Sequence, residues 1–411
     1  MKGTLNKVEL SWILYDVANS AFILLATAIL PIYFKNLVQE AGMSAESATG
    51  YWGSVTSIAV LILAVASPIL GAFADYKGLK KKIFCVFLIL GITGLLSLSI
   101  ATGWMAFLLL YVITRIGYTA CNIFYDSMLT DVTTDEKMDR VSTQGYAWGY
   151  VGSCIPFIIS IILIFTDPFH VGTIIETRIS FVLTAIWWFL LTIPLLKHVK
   201  QNYYLERQPN LVAHTFRRLG KTFVKIKNDR KLFYYMLGYF CYIDGVYTII
   251  SMATSYGASV GIDDTQLVIA LLVTQFVAFP FAIISGKQSK KYGPMKLIKL
   301  FILGYIGVCI FGYQLDKAWE FWVLAICVGM LQGGIQALSR SYFARLIPKE
   351  ESNEYFGFFD IFGKFADFMG PAIVAVFSFM GVPQMGVLAL AILFIVGYLL
   401  IQKSEKVATA N

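Results

Sequence analysis

The run Gly71-Ala72-Phe73-Ala74-Asp75-Tyr76-Lys77-Gly78 lies between two apolar stretches and is followed by lysines at positions 80 to 82. A weaker copy begins at position 286, also between apolar stretches, and reads Gly286-Lys287-Gln288-Ser289-Lys290-Lys291-Tyr292-Gly293. Each run predicts a short basic loop, bounded by glycines, that joins two membrane helices. The recurrence therefore predicts a chain built from two related halves.

The composition indicates a membrane protein. Hydrophobic residues make up 58% of the chain and charged residues only 14%, whereas a soluble domain carries about 25% charged residues. Apolar runs such as 55–71, 83–101 and 385–401 approach the roughly 20 residues that a helix needs to cross about 30 Å of hydrocarbon. We therefore predict an all-α membrane protein.

Polar positions inside the apolar runs of the first half also have counterparts in the second half, as the basic loops do. Gln144-Gly145 opens the fifth apolar run and Phe356-Gly357 opens the eleventh, while Asp16 in the first run has a counterpart in Asp244 in the seventh. Six helices followed by six is the arrangement of a transporter whose substrate site lies between two halves. The twelve predicted membrane helices, numbered in order, are 10–34, 51–74, 83–101, 105–130, 143–166, 179–197, 233–257, 265–286, 296–315, 318–344, 354–379 and 383–402.

The net charge of +8 is concentrated in alternate loops. One side of the predicted membrane collects the lysines at 80 to 82, the basic middle loop between 197 and 231, and the basic residues between 287 and 299. The positive-inside rule then places both termini and the middle loop in the cytoplasm. The charge is thus explained by topology and not by nucleic-acid binding, and we predict a multi-pass protein of the bacterial plasma membrane.

Cysteines and histidines give no sign of a metal or catalytic site. The six cysteines all fall inside predicted helices without a Cys-x-x-Cys pair, and the three histidines lie in loops. No nucleophile, base and orienting group come together in one predicted cleft. We therefore predict no catalytic residues, no metal and no cofactor, and the chain is not expected to be an enzyme.

Two sets of motifs resemble known transporters. The spacing Gly-x-x-Ala-Asp-x-x-Gly-x-Lys-Lys-Lys at 71–82 resembles the loop between helices two and three of the major facilitator superfamily. The segment 15–22 (Tyr-Asp-Val-Ala-Asn-Ser-Ala-Phe) resembles the signature of the Atg22-like family of vacuole effluxers, also called UMF1. Further matches are 336–341, 346–348, 356–358, 363–364 and 370–371; Val17, where we expect tryptophan, and Asp126, where the family is usually uncharged, depart from the pattern.

The resemblance implies twelve transmembrane helices in two pseudo-symmetric six-helix bundles, the major facilitator fold, with bundles at 1–197 and 233–411 and a cytoplasmic loop at 198–232. It also implies alternating-access transport of a small polar, amino-acid-like solute, with H⁺ or another cation as a possible coupling ion. Other readings are a transporter of a sugar, organic ion or amphiphile, and a non-transporting membrane sensor. We expect membrane lipids as partners, no nucleic acid, and a functional monomer.

Ionisable residues inside the predicted helices mark the candidate path. A charge at the middle of a membrane helix costs on the order of 3 kcal/mol and needs a partner, water or a function. Helical spacing puts several of them on shared faces with neighbouring polar residues, including the stripe Asp244, Thr248, Ser251 and Ser255 in helix seven. We assign ten residues to substrate or ion binding: Asp16, Asn19, Arg115, Asn122, Asp126, Asp244, Gln336, Arg340, Asp360 and Lys364.

Structural roles compete with binding at some of these positions. Lys364, Asp360 and Asp367 lie at helical spacing on one face, so Lys364 and Asp360 are equally expected to form an intrahelical ion pair. Arg340 and Asp126 lie toward the cytoplasmic third, where a gate or a structural salt bridge competes with ligand binding. For Asp16 and Arg115, which lie deeper, the functional role is favoured.

Conformational control is assigned to Gly71, Asp75, Gly78 and Lys80. A carboxylate at Asp75 is expected beside the N-terminus of helix eleven, whose dipole attracts negative charge, and the glycines are expected to supply a tight turn. The middle loop contains apolar residues at rough helical spacing among arginines and lysines. It is predicted equally to be an amphipathic helix on the anionic inner leaflet or a plain tether.

Overall fold

The computed structural model of the protein describes residues 4–259, 262–315 and 317–409. Within these ranges the side chains of some helix residues lie outside the description, and the predicted polar residues Ser255 and Asp367 are among them. Twelve long helices occur in the described part of the chain: α1 (Lys7–Glu40), α2 (Ala45–Ala74), α3 (Lys80–Leu98), α4 (Trp104–Ser127), α5 (Met138–Thr166), α6 (Thr173–His198), α7 (Arg230–Ser259), α8 (Asp264–Tyr292), α9 (Pro294–Tyr313), α10 (Ala318–Leu346), α11 (Ser352–Phe379) and α12 (Pro383–Thr409).

Eleven helices in the described residues are long and apolar enough to cross a membrane. The twelfth, α11, is 28 residues long, which at about 1.5 Å per residue exceeds the hydrocarbon thickness. Its sequence contains Asp360, Lys364 and Asp367, and the side chains of residues 366–368 lie outside the description. The predicted order of twelve helices is therefore present in the described part of the chain.

Local sequence fixes the start and the bend of α1. Asn6 accepts a hydrogen bond from the backbone N–H of Glu9 at 2.8 Å, and Glu9 accepts one from the backbone N–H of Asn6 at 2.8 Å. This reciprocal capping box satisfies two amide groups that have no partner within the helix. Further along, a π turn at Leu25–Ile29 precedes Pro31, which has no N–H to offer the carbonyl four residues earlier.

The two halves repeat the same helix pairings. In the first bundle α1 packs against α5 and α6, and α3 packs against α4. In the second bundle α7 packs against α11 and α12, and α9 packs against α10, which are the equivalent pairs. Between the bundles α2 lies along α11 and α8 lies along α5, again as equivalent pairs. The predicted pseudo-symmetric arrangement is confirmed.

The four helices that join the bundles each contain an internal proline. These are Pro68 in α2, Pro156 in α5, Pro280 in α8 and Pro371 in α11. Proline removes a helical hydrogen bond and bends the helix. A bend lets each of these helices contact the opposite bundle over part of its length and diverge from it elsewhere.

We call one end of the molecule the basic face; it carries the loop 75–79, the segment 199–229 and the end of α8 at 287–293. Ion pairs and hydrogen bonds that join the two bundles lie in the halves of the helices nearest this face, for example at Asp75, Asp126 and Arg340. The basic face is closed in this conformation.

The middle loop contains a helix that packs across the basic face. This linker helix (Leu211–Asn228) contacts α2 of the first bundle and α7 of the second. Before it, a single parallel β-bridge joins Leu205 to Tyr76. The segment is therefore not a plain tether, because one side of its helix is buried against both bundles. That the helix lies on the anionic inner leaflet stays a prediction.

The outer helices expose apolar side chains. Large apolar residues with more than a third of their surface exposed occur along the middles of α3, α6, α9 and α12, which carry almost no charge there. An apolar exposed surface is normal in a bilayer and unusual in water. Examples are Val86, Ile89, Phe189, Leu190, Leu303, Ile310, Ile392 and Leu399.

The fold makes a prediction about sidedness. Cysteines placed at Gly220 of the linker helix and at Lys290 of α8 should react with an impermeant thiol reagent from one side of the membrane only. A cysteine at Glu40, at the far end of α1, should react from the opposite side. All three positions are exposed in the structure, so labelling of Gly220→Cys and Glu40→Cys from the same side would contradict this topology.

Candidate functional site

The guanidinium of Arg340, in α10, lies between two carboxylates of the first bundle. Arg340 Nη1 donates to Asp126 Oδ1 of α4 at 2.8 Å, and Nη2 donates to Asp16 Oδ2 of α1 at 3.5 Å. The Arg340 side chain is 4% exposed, that of Asp16 is 10% exposed and that of Asp126 is 31% exposed. One positive and two negative groups are thus brought together, and Asp126 is the most accessible of the three.

Polar groups of α5 complete the coordination of Arg340. Arg340 Nε donates to Ser142 Oγ at 3.0 Å, and Nη2 donates to the Ser142 carbonyl at 3.1 Å. Ser142 Oγ in turn donates to the Ala337 carbonyl of α10 at 2.8 Å. Because these bonds join α5 to α10, they form only while the bundles are in contact at this level.

Aromatic rings surround the same guanidinium. The Arg340 guanidinium carbon lies 4.4 Å from the ring centre of Tyr146, 4.7 Å from that of Trp12 and 5.4 Å from that of Tyr125. Trp12 and Tyr125 are stacked at 4.4 Å, and Trp12 Nε1 donates to the Tyr125 carbonyl at 2.9 Å. Cation–π contacts of this kind are stronger where water is excluded. The three rings therefore help to stabilise the buried Arg340 guanidinium without a further carboxylate.

Gly145 allows α5 to approach this cluster. A Cβ at this position would lie 2.6 Å from Asp16 Oδ2 and 3.0 Å from Cζ3 of Trp12. Any larger side chain would displace the aspartate. About two turns further along α5, a Cβ at Gly152 would lie 2.3 Å from Cγ1 of Val17. The branched valine, where the family pattern suggested tryptophan, thus fills the narrow gap between α1 and α5.

Two pairs of uncharged polar side chains lie deeper along the interface. Asn19 Nδ2 donates to Asn122 Oδ1 at 2.8 Å, joining α1 to α4. Tyr150 of α5 donates to Gln336 Oε1 of α10 at 2.9 Å. Arg115 lies on the same stripe of α4 as Asn122 and Asp126, three turns from Asp126, or about 16 Å along the helix. Asp16, Asn19, Asn122, Asp126, Gln336 and Arg340 are therefore brought to one region, with Arg115 further from the basic face.

Asp360 and Lys364 do form an ion pair on α11, with Lys364 Nζ 3.2 Å from Asp360 Oδ1. Asp360 Oδ2 also accepts a hydrogen bond from Ser67 Oγ of α2 at 2.7 Å. A Cβ at Gly357 would lie 2.5 Å from the Ser67 carbonyl, so α2 and α11 touch backbone to backbone here. The pair lies at the α2–α11 contact and is separate from the Arg340 cluster.

Asp244 lies inside the second bundle rather than between the bundles. It is fully buried, and its Oδ1 accepts a hydrogen bond from the Gly370 N–H of α11 at 2.8 Å. A Cβ at Gly370 would lie 1.9 Å from Thr248 Oγ1 and 2.8 Å from Asp244 Oδ1. Thr248 lines an apolar cavity of about 100 Å³ within this bundle, together with Gln275 and Gln332. Asp244 is therefore not part of the Arg340 cluster, although it was predicted as the counterpart of Asp16.

Asp75 caps the first turn of α11, as the dipole argument predicted. Its Oδ1 accepts from the backbone N–H of Asn353 at 2.9 Å and from Asn353 Nδ2 at 2.8 Å, and its Oδ2 accepts from the backbone N–H of Glu354 at 3.2 Å. These amides lie at the start of α11 and have no partner within the helix. A carboxylate of the first bundle thus caps the N-terminus of a helix of the second bundle.

The linker helix supplies the cation at this point. Arg218, which is almost fully buried, donates from Nη2 to Asp75 Oδ2 at 3.1 Å and to the Ala72 carbonyl at 2.7 Å, and from Nε to Glu354. Its guanidinium also lies 5.1 Å from the ring centre of Tyr76. We call Asp75, Arg218 and Glu354 the latch triad. It ties the first bundle, the linker helix and the second bundle together.

Burial raises the pKa of Asp75 to about 7, against the lowering effects of the Arg218 charge, the Asn353 hydrogen bonds and the Lys80 charge. The carboxyl group therefore titrates near neutrality while the basic face is closed. In water its ordinary pKa is about 3.9.

The glycines of the quoted run have different tasks from one another. Gly78 has a φ of +74° and forms the turn, as predicted. Gly71 lies within α2, and a Cβ there would lie 2.2 Å from the Asn353 carbonyl oxygen, so its task is close helix contact and not a turn. Gly286 of the second copy is equivalent, because its Cβ would lie 2.0 Å from Thr143 Oγ1 of α5.

Lys80 is buried and paired within the first bundle. Its Nζ lies 2.6 Å from Asp131 Oδ2 and 3.4 Å from Ser352 Oγ of α11. Asp131 also accepts from the backbone N–H groups of Asn202 and Tyr203. Lys80 thus fixes the linker against the first bundle and reaches the start of α11.

A further acid joins the two bundles at the α5–α10 contact. Asp139, in the first turn of α5, accepts from Ser341 Oγ at 2.6 Å and from Arg345 Nη2 at 2.6 Å, both in α10. Lys349 and Asp135 form a further pair at 2.8 Å. The second copy of the loop has Lys290 where the first has Asp75.

The sequence analysis missed Arg218, Glu354, Asp139, Arg345 and Ser142. Arg218 lay among many basic residues of the middle loop, where no spacing distinguished it from its exposed neighbours. Asp139 and Glu354 each lie in the first turn of a membrane helix, and acids at that position are a recognisable signal. No group of three histidine, cysteine or acidic residues that fits a metal ion occurs in the described residues.

Comparison with known proteins agrees with this architecture. The family model described as "Vacuole effluxer Atg22 like" matches residues 5–406. An uncharacterised MFS-type transporter from Bacillus subtilis, YxiO, is 45% identical over 408 residues, covering 98% of this chain and 95% of that protein. Autophagy-related protein 22 from Yarrowia lipolytica is 26% identical over 270 residues, covering 57% of this chain and 45% of that protein.

Solved transporter structures share the fold at low identity. FucP in its outward conformation superposes with a TM-score of 0.70 at 13% identity, covering 97% of both chains. The proton:xylose symporter XylE gives a TM-score of 0.71 at 9% identity, covering 97% of this chain and 95% of that one. Together with the family match, these results identify a membrane transporter and not an enzyme. The chain belongs to the Atg22-like family of the major facilitator superfamily.

Proposed function

We propose that the protein is a proton-coupled secondary transporter of a small, zwitterionic, amino-acid-like solute. The observation that carries this proposal is Arg340 of the second bundle held between Asp16 and Asp126 of the first. Such a cluster forms only when the bundles meet, so its charge state and the conformation of the transporter depend on each other. The units that move are proposed to be residues 1–197 and 233–411, joined by 198–232.

We infer that the basic face is cytoplasmic, because lysine and arginine in loops favour that side. Both termini then lie in the cytoplasm of a bacterial cell. The closed basic face is in that case the cytoplasmic gate, and the conformation described is outward-facing. Asp126, with about a third of its side chain exposed, is the group that a proton entering from outside would reach first.

The proton dependence follows from the charge count. Two carboxylates at one guanidinium leave one negative charge uncompensated, and like charges at one site favour uptake of a proton. A proton on Asp126 weakens its attraction to Arg340, which releases one contact that closes the gate. Proton entry from outside would therefore promote opening toward the cytoplasm.

We assign the solute's ammonium group to Asp16 and Asp126, and its carboxylate to Arg115. Guanidinium groups bind carboxylates well, and the donors of Arg340 are largely occupied by Asp126, Asp16 and Ser142 in this conformation. Asn19, Asn122 and Gln336 lie between and would orient the solute. A sugar is the second candidate, because the amide pairs Asn19–Asn122 and Gln336–Tyr150 suit hydroxyl groups.

Asp75, Gly71, Gly78 and Lys80 are proposed to control the gate, with Arg218 as the central cation. All of the latch triad contacts between bundles are lost when α11 moves away from α2. A guanidinium between two buried carboxylates is costly to disrupt, since removing one partner of a buried ion pair costs about 3–5 kcal/mol. The triad therefore stabilises the closed face.

Replacing Arg218 should open the gate. Arg218→Ala leaves Asp75 and Glu354 as neighbouring buried acids, and the loss of about 3–5 kcal/mol should convert a mainly closed population to a mainly open one. The distance between spin labels at the exposed positions Lys82 and Lys290 would report this in detergent. Arg217→Ala, which removes an exposed arginine one residue away, is the matched control. Identical distance distributions for the two variants would refute the latch.

Acidification should favour the closed face through Asp75. Its pKa of about 7 when closed lies above the ordinary 3.9, so the closed state binds the proton more tightly. The preference is fully present below about pH 4 and is lost as the pH rises through 7. In an Asp126→Asn background, which removes the opposing effect of a proton on that carboxylate, the same two labels would show the closed fraction rising between pH 8 and pH 5. Asp75→Asn should reduce this rise, and an unchanged pH dependence in that variant would contradict the assignment.

Asp16→Asn should abolish accumulation of solute against its gradient. The solute is first identified by a thermal-shift screen of amino acids, sugars and peptides on purified protein, because a ligand of the folded state raises its melting temperature. Asn keeps the size of the side chain and removes its charge, so the melting temperature should stay close to the wild-type value. Proteoliposomes with an imposed pH gradient then measure uptake.

Counterflow distinguishes the two roles of Asp16, because exchange needs binding but no ion gradient. If Asp16 is only a coupling residue, Asp16→Asn retains counterflow. If Asp16 binds the solute, the variant loses counterflow as well as accumulation. Ser20→Ala, one turn away on the same helix, is the control. Concentrative transport at the wild-type rate in Asp16→Asn, or failure of that variant to fold, would make Asp16 a packing residue.

A further inference from the structure

The linker helix has three distinct sides, and only one is accounted for by the latch. Thr215, Arg218, Thr222 and Ile226 are buried against the transporter. At 100° per residue, Val212, Phe216 and Phe223 form a second side, which we call the apolar flank. Their side chains are 60%, 52% and 59% exposed. Arg217, Lys221 and Lys227 are exposed on the remainder of the helix.

The position of the apolar flank along the molecule can be read from its contact with α11. The ring of Phe223 lies 6.4 Å from the ring of Phe358. Phe358 is six residues inside α11, which begins at Ser352, or about 9 Å along the helix from its end. Phe223 is therefore exposed beside the first two turns of α11 and not beyond the end of that helix.

The charge of the helix fits the same environment. Besides these three basic side chains, Lys225 is exposed on the helix and pairs with Glu351 at 3.2 Å, and α7 begins with Arg230 and the half-buried Lys231. Aromatic and aliphatic side chains on one side with lysine and arginine on the other are typical of helices that lie in the bilayer interface. Juxtamembrane basic residues attract anionic lipids.

We propose that the apolar flank of the linker helix is seated in the headgroup–acyl boundary of the membrane and that its basic residues bind anionic lipid headgroups. Because the buried side of the helix carries Arg218 of the latch triad, anionic lipid stabilises the closed basic face. The linker helix is then a lipid-responsive element, which binds the transporter on one side and the bilayer on another. The identity of the transported solute does not enter this proposal.

The seating of the helix is tested by single nitroxide labels in lipid nanodiscs, in a background without the six native cysteines. Labels at Phe216 and Phe223 should be accessible to oxygen and shielded from a water-soluble nickel complex. Labels at Ala213 and Val224 should show the reverse. Val224 is a matched control, because it is an apolar residue with 52% exposure that points away from the flank. Equal access of the nickel complex to all four positions would overturn the proposal.

The effect of lipid charge is tested with the labels at Lys82 and Lys290 in nanodiscs of phosphatidylcholine with and without phosphatidylglycerol. The closed fraction should be larger with phosphatidylglycerol. Arg217→Gln/Lys221→Gln/Lys227→Gln should reduce the lipid effect on the closed-to-open ratio by roughly fivefold for each charge removed, from about 1 kcal/mol per basic residue.

The control for that measurement is the triple variant Lys287→Gln/Lys291→Gln/Lys296→Gln, in which Lys290 remains the label site and Lys221 is left intact. It removes the same charge from the basic face and leaves the linker helix unchanged, so it should keep most of the lipid effect. A closed fraction that does not respond to phosphatidylglycerol, or an equal loss of response in both triple variants, would refute lipid control through this helix. Neither measurement needs transport, so a failed transport assay leaves the result interpretable.

Discussion

At the closed basic face, two guanidinium groups are buried between carboxylates that come from other parts of the chain. Arg340 between Asp16 and Asp126, and Arg218 between Asp75 and Glu354, are each coordinated by residues from more than one part of the molecule. A buried charge without its partner is costly, so these contacts form together or are lost together. Discrete charge pairing, more than apolar packing, is what gives such an interface two alternative states.

The architecture could be predicted from sequence because it follows from the bilayer. A membrane helix must be apolar for about 20 residues. Such a run can be recognised in the sequence without knowing which helices pack against it. Loop charge and the repeated glycine run then order the helices. The linker helix could not be placed this way. Its spacing showed an amphipathic helix, but which side packs against the bundles is decided by its partners Asp75 and Glu354, far away in sequence.

The site was predicted in part for the same reason. Asp16, Asp126 and Arg340 were conspicuous because charge is rare inside membrane helices, and the structure brings them together. Asp244 was equally conspicuous but lies inside the second bundle against Gly370, since pseudo-symmetry repeats helix packing without repeating side-chain partners. Arg218 lies in a polar segment, where one more charge has no visible significance until the helices are assembled.

The two clusters differ in what can reach them, and this difference suggests a division of labour. Asp126 is partly exposed between the bundles, so solute and protons can act on the Arg340 cluster from within the membrane. The latch triad is closed to that path and instead contacts the linker helix, whose outer sides are exposed at the membrane surface. Gly71 and Gly145 bring the helix backbones close enough for both clusters to form. A transporter built in this way can adjust its gate to conditions at the cytoplasmic surface without altering the groups that bind its solute.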